Sequence, residues 1–189
     1  MVSTKVLLGL GSVISVGAVS FVGYLYSQSN KETFRSKYRL ALIDDSEDTA
    51  WNKKLAELLK GSPKNKGLVD SKGKNNISSL KAACQEIYDS YFSHNLMDDF
   101  KNFCSKNYSD YFGSKQTIAA DTDLNGKWDT FKSKTSSDLE GEIRKIHESK
   151  KNSSSEPSDW KQLLFNECKK ISSSIFEGDI KGYQEFCTK

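Results

Sequence analysis

Leu80-Lys-Ala-Ala-Cys84-Gln-Glu-Ile87 and, further along, Leu164-Phe-Asn-Glu-Cys168-Lys-Lys-Ile171 carry one phrase in two wordings, and the fold turns on how it is read. Each sets a leucine four residues before a cysteine and an isoleucine three after it. That spacing puts three side chains on one helical face. Each is answered by a phrase ending in a second cysteine: Phe100-Lys-Asn-Phe103-Cys104 and Tyr183-Gln-Glu-Phe186-Cys187. The midpoint of the first pair falls in Ser93-His94-Asn95 and that of the second in Glu177-Gly178-Asp179, both turn-forming stretches. In an antiparallel helical hairpin, residues equidistant from the turn lie at one level, within disulfide reach. The spacing therefore favours local bridges, Cys84 with Cys104 and Cys168 with Cys187, among the three connectivities open to four cysteines. Four buried free thiols are the alternative. A zinc site or a thioredoxin-like redox pair is disfavoured because the chain has no Cys-x-x-Cys.

Working outward, apolar stripes at helical spacing separated by polar loops predict an all-α protein. Trp51, Leu55, Leu58 and Leu59 form the first stripe, ended by Gly61-Ser62-Pro63. Residues 63–76, rich in Gly and Lys, read as a mobile linker. Ile77, Leu80, Cys84, Ile87, Tyr88 and Tyr91 form the next face, then Met97, Phe100, Phe103, Cys104 and Tyr108. In the second half the faces run Trp128 and Phe131; Leu139, Ile143 and Ile146; Trp160, Leu163, Leu164, Cys168 and Ile171; and Ile180, Tyr183 and Phe186. The serine-rich loop before Trp160 offers Ser158 or Asp159 as an N-cap. Trp51 and Trp128 precede the two cysteine helices and read as the openings of two similar units. The expected organisation is an N-terminal signal anchor over 1–30, a juxtamembrane stalk over 31–45 in which Phe34 and Tyr38 continue the anchor helix, and disulfide-stapled helical units over 46–112 and 113–189.

The anchor reading rests on Val6–Tyr26, 21 residues without a charge. A helix needs about 20 to cross a bilayer core of roughly 30 Å. Lys5 precedes the run, and Tyr24 and Tyr26 sit where an interfacial aromatic belt falls. Small residues at Ala18-Val19-Ser20 could mark a cleavage site, but Phe21 and the continuing apolar run favour retention. Of the formal +3, Lys5 contributes +1 and residues 31–39 +3, so residues 40–189 carry −1. The basic character is juxtamembrane, suited to anionic lipid headgroups, and it excludes the clustered basic face of a nucleic-acid-binding domain. Counted by the positive-inside rule, those residues would hold the domain in the cytoplasm. Paired cysteines argue for the outside, and that placement is the expectation adopted: a single-pass membrane protein with its C-terminal domain extracellular. The mean hydropathy of −0.63 includes the apolar run, so the domain itself is more hydrophilic, and cross-links would support its slender core.

Three local signals bear on chemistry. Asp121-Thr-Asp123-Leu-Asn125-Gly126 matches the opening of a calcium loop, but the twelfth position is Lys132 in place of a bidentate Glu, so an Asp/Asn/Gly turn before Trp128 is the expectation. The histidines, His94 and His147, lie in polar surroundings and read as solvated surface residues. No phosphate-cradling glycine loop is present. No catalytic, cofactor or metal residues are therefore assigned, and no enzyme activity is expected.

Taken together, the N-terminal apolar span, the Leu-x-x-x-Cys-x-x-Ile phrases at Cys84 and Cys168, the aromatic-x-x-Phe-Cys phrases at Cys104 and Cys187, and the spaced tryptophans resemble the uncharacterised paralogous membrane-anchored proteins of haemotropic mycoplasmas. Those proteins carry no assigned activity, so no functional residue transfers. The resemblance implies a wall-less, erythrocyte-associated bacterium in which a multicopy anchored protein would serve host contact or antigenic diversity. Two function classes follow. The first is a surface-displayed interaction or antigenic module with a host-cell or serum protein as ligand. The second is an anchored structural or scaffolding subunit packed against another membrane protein.

Overall fold

Amphipathic stripes become helices here because polar caps start them and a shared aromatic core buries their apolar faces. The computed structural model describes residues 32–113 and 115–189. In order, the elements are α1 (Phe34–Lys37), α2 (Asp48–Lys60), α3 (Lys66–Lys74), α4 (Ile77–Asp89) and α5 (His94–Asp99), which continues as a π-helical turn over Phe100–Cys104. They are followed by α6 (Tyr108–Tyr111), a 3-10 turn over Asp121–Leu124, α7 (Trp128–Ser133), α8 (Gly141–Lys150), α9 (Trp160–Ser172) and α10 (Tyr183–Cys187). Among the described residues there is no β-strand, only isolated antiparallel bridges. The all-α class expected from the stripes is the one observed. Thr33–Lys189 form one compact unit. The apolar run at 6–26 lies outside the described residues, and no described helix is long and apolar enough to cross a membrane.

Both local disulfides are closed. Cys84 and Cys104 have Cα atoms 5.3 Å apart and Cys168 and Cys187 5.1 Å apart. All four cysteines are fully buried. The first bridge ties α4 to the end of the π-helical turn, and the second ties α9 to α10. The second hairpin is lopsided: α10 has five residues against thirteen in α9, and Ile175 to Gly182 reach it without regular structure.

The same contacts recur at matched positions along the chain. Phe34 N–H donates to Ser90 O at 3.2 Å, and Tyr108 N–H to Ser174 O at 3.2 Å. Lys106 N–H donates to Ala41 O at 2.7 Å, and Lys189 N–H to Gln116 O at 2.8 Å. The bridges Thr33–Tyr91 and Leu42–Ser105 are answered by Asn107–Ile175 and Thr117–Thr188. Both α1 and α6 begin with a capping box, on Thr33 and Asn107. Ring packing follows suit. Phe34 lies 5.4 Å from Phe92 and 4.8 Å from Phe100, and Tyr108 lies 5.1 Å from Phe176 and 5.2 Å from Tyr183. Tyr38 is 6.2 Å from Phe92 and 5.2 Å from Phe100, and Phe112 is 6.2 Å from Phe176 and 5.5 Å from Tyr183.

Several expectations are corrected. The described part of the expected stalk, 32–45, belongs to the folded domain, with Phe34, Tyr38, Ala41 and Ile43 buried; three aromatic partners draw Phe34 into the core. The proposed linker 63–76 contains α3. Asn65 Oδ1 accepts from Leu68 N–H at 3.2 Å, and the buried Asp99 carboxylate accepts from Lys64 N–H at 2.9 Å and from Asn65 N–H. Leu68 is then fully buried, worth roughly 1.5–3 kcal/mol. Gly67 makes the close approach possible: a Cβ there would lie 3.2 Å from the Cβ of Ala83 on α4. Leu59, placed on the apolar stripe, is 39% exposed, and Lys54 is buried in its stead. Asp159 does precede α9, but its carboxylate takes the Lys150 ammonium at 2.7 Å and no helix amide.

Gly182, at the N-cap of α10, has φ +89°, and a Cβ there would sit 2.7 Å from Leu139 Cδ2. Gly182→Ala should therefore lower stability by about 1–3 kcal/mol in urea unfolding. A loss below about 0.5 kcal/mol, within the range of ordinary surface substitutions, would contradict this geometry.

Candidate functional site

A cluster of buried and half-buried charges lies where α6 meets α2. Lys54 follows Trp51 by one helical turn and so falls on the buried face of α2, where its side chain is 2% exposed. A lone ammonium there would be strongly unfavourable, and it is matched by Asp110, 5% exposed, at 2.9 Å. Glu57 Oε2 takes Lys54 at 3.0 Å from the same helix, and Lys53 also binds Asp110. Asp110 is positioned by its own capping box, accepting from Asn107 N–H at 3.1 Å. Desolvation pushes its carboxyl up, but Lys54, Lys53 and the Asn107 amide overcome that and hold it below the usual carboxylate range.

Above this cluster lies an open cleft of about 600 Å3, lined by Ser46, Asp48, Thr49, Lys53, Ser109 and Asp110. Its one buried carboxylate is already neutralised by two lysines, which leaves it a poor general base. The Tyr88 phenol is pushed upward by burial; it donates to Cys104 O and accepts from Ile43 N–H at 3.4 Å, so it serves the core.

No family model matches the chain, and no curated protein or solved structure matches it either. The site is therefore read from its own geometry.

The residues singled out in the sequence are dispersed. His94 is exposed and edge-on to Phe92 at 5.5 Å. His147, expected at the surface, is fully buried: α8 turns it inward edge-on to Phe131 at 5.4 Å, its Nε2 3.3 Å from Lys132 O and its Nδ1 without a partner. The local sequence misled because His147 follows Ile143 by one helical turn and shares its face. Among the described residues no hydrogen bond joins either histidine to a serine, threonine or cysteine side chain. In the calcium-like stretch, Asp123 accepts from Ala119 N–H at 2.8 Å and Ala120 N–H at 3.2 Å and pairs with Lys189 at 3.0 Å. Asn125 Oδ1 takes Lys161, and Lys132 reaches Ser153 O. The segment is a self-satisfied turn leading into α7. Among the described residues no group of acidic, histidine or cysteine side chains is arranged to hold a metal ion.

Lys54 and Asp110 were the residues that sequence reading passed over. A lysine inside the Trp51-to-Leu58 stripe was the available signal, since a cation on a core face demands a partner.

Removing either member should be costly because it strands the other. Lys54→Ala or Asp110→Ala should each lose about 3–5 kcal/mol, and the double variant should lose clearly less than the sum. Strict additivity in urea unfolding would contradict a direct pair. Because the folded-state value of Asp110 is depressed, its contribution is complete above the ordinary carboxylate range near pH 4 and is lost as pH falls through the lower folded value. Asp110→Asn should flatten that acid limb.

Proposed function

We propose that the chain is a membrane-anchored helical interaction module displayed outside the cell, built from two copies of one disulfide-stapled unit, residues 33–106 and 107–189. The pair of closed, fully buried cystines carries this reading. Such bridges persist in oxidising compartments and are rare in the cytosol, and they support a small polar domain that cannot build a large core. The uncharged run at 6–26 supports the anchor.

Support for duplication comes from the matched amide bonds, bridges and ring pairs, which begin at Thr33 and Asn107 in place of residues 46 and 113. Lys53, Lys54, Asp110 and Asp123 are engaged in caps and ion pairs, which supports binding over catalysis. The resemblance to lineage-expanded anchored proteins agrees with host contact or antigenic display.

Protease shaving of intact cells tests the placement. The domain should be digested without lysis, and the cystine-linked fragments should separate only after reduction. Full protection until the cells are lysed would place the domain inside and end this reading.

A further inference from the structure

Residues 33–106 and 107–189 each keep their own core. Thr33–Lys189 form one compact unit, yet among the described residues each cystine and each ring pair falls within one half or the other. Helices pack in the same way: α3 on α4 and α2 on the π-helical turn in the first half, α8 and α10 on α9 in the second. Bodies joined without a large apolar interface move relative to one another by default.

One extended stretch connects them, and Lys106 stands at its centre. Its N–H donates to Ala41 O of the first half at 2.7 Å, and its carbonyl accepts from Phe176 N–H of the second at 3.0 Å. Ser105 and Asn107 on either side have extended backbones, with ψ 152° and 177°. Each half therefore grips one end of a single residue. Elsewhere a Cβ on Gly178 would lie 3.7 Å from Leu40 Cδ1, and Lys53 and Lys54 reach across to Asp110.

Two spaces adjoin that ion cluster. Lys53 and Asp110 line the cleft of about 600 Å3, where Ser46 and Thr49 of the first half share the wall with Ser109 of the second. Lys54 lines a crevice of about 220 Å3, in which Lys101 and Phe103 of the first half meet Asn107 and Ser173 of the second. The junction is thus held by charge beside open space.

We infer that the domain is a latched hinge: the halves turn about Lys106–Asn107, and the clasp of Lys53 and Lys54 on Asp110 holds them closed. A desolvated pair is favourable only while its members meet, so the latch has two states. Parting it merges the cleft with the crevice and returns Lys54 and Asp110 to water. The hinge follows from the contacts within and between the halves and requires neither that they be copies nor that the chain be anchored.

The test uses the full chain with its cystines intact. Lys74 on α3 and Lys145 on α8, both exposed and one on each half, are replaced by a keto amino acid carrying a nitroxide label for double electron–electron resonance. With the native clasp the distances should form one narrow distribution. Asp110→Asn, which leaves the lysines unpaired, should widen it at least about twofold while circular dichroism shows the helices retained. Asp110→Lys, which sets three cations together, should widen it further. Widening in either variant with its helices intact bears out the hinge. If neither widens, whether by staying narrow or by unfolding, the halves form a single core and the inference is overturned; a native distribution already as broad would overturn the latch.

Discussion

Each cystine holds a leucine-cysteine-isoleucine helix against the aromatic segment that closes its unit, and the remaining packing is arranged around that fixed distance. On one side of the first bridge stand Leu80 and Ile87, on the other Phe100 and Phe103, and Phe34 reaches in from α1 to complete the layer. The second bridge sits likewise among Leu164, Ile171, Tyr183 and Phe186. Closing loops of this length is worth roughly 3 kcal/mol each by chain entropy. For a domain with 28% charged residues in the whole chain, that is a large share of any net stability. The bridges also set which surfaces are left for neighbours, because they fix where Ser105 and Thr188 pair with the strand-like stretches at Leu42 and Thr117.

The matched halves also diverge where they meet. Three residues after Trp51 stands Lys54, reaching out to Asp110; three after Trp128 stands Phe131, packed between Trp160 and Phe186 at 5.3 and 5.1 Å. One position thus makes an ionic clasp in the first half and a closed aromatic stack in the second. Lys134 and Glu185 pair beside the latter at 2.7 Å.

Much of this was legible in the sequence where periodicity and spacing carried the information. Cysteine spacing around turn signals gave the local pairing, and the stripes gave most helices. Signals that depend on tertiary partners were not legible. A glycine-rich stretch became α3 because Asp99, far along the chain, holds the Lys64 and Asn65 amides that lead into it and Ala83 accepts the close approach of Gly67. Phe34 and Tyr38 left the expected stalk because Phe92 and Phe100 lie within reach only after folding. Lys54, Asp110 and His147 are polar residues drawn inward by helical register, which composition alone assigns to the surface.

The central claim is that two local cystines staple two matched units. Non-reducing peptide mapping of the natively isolated protein, with thiols blocked at lysis, tests it directly. The account predicts one peptide pair joining Cys84 to Cys104, a second joining Cys168 to Cys187, and no blocked thiol. Four blocked thiols, or any bridge between the halves, would contradict it.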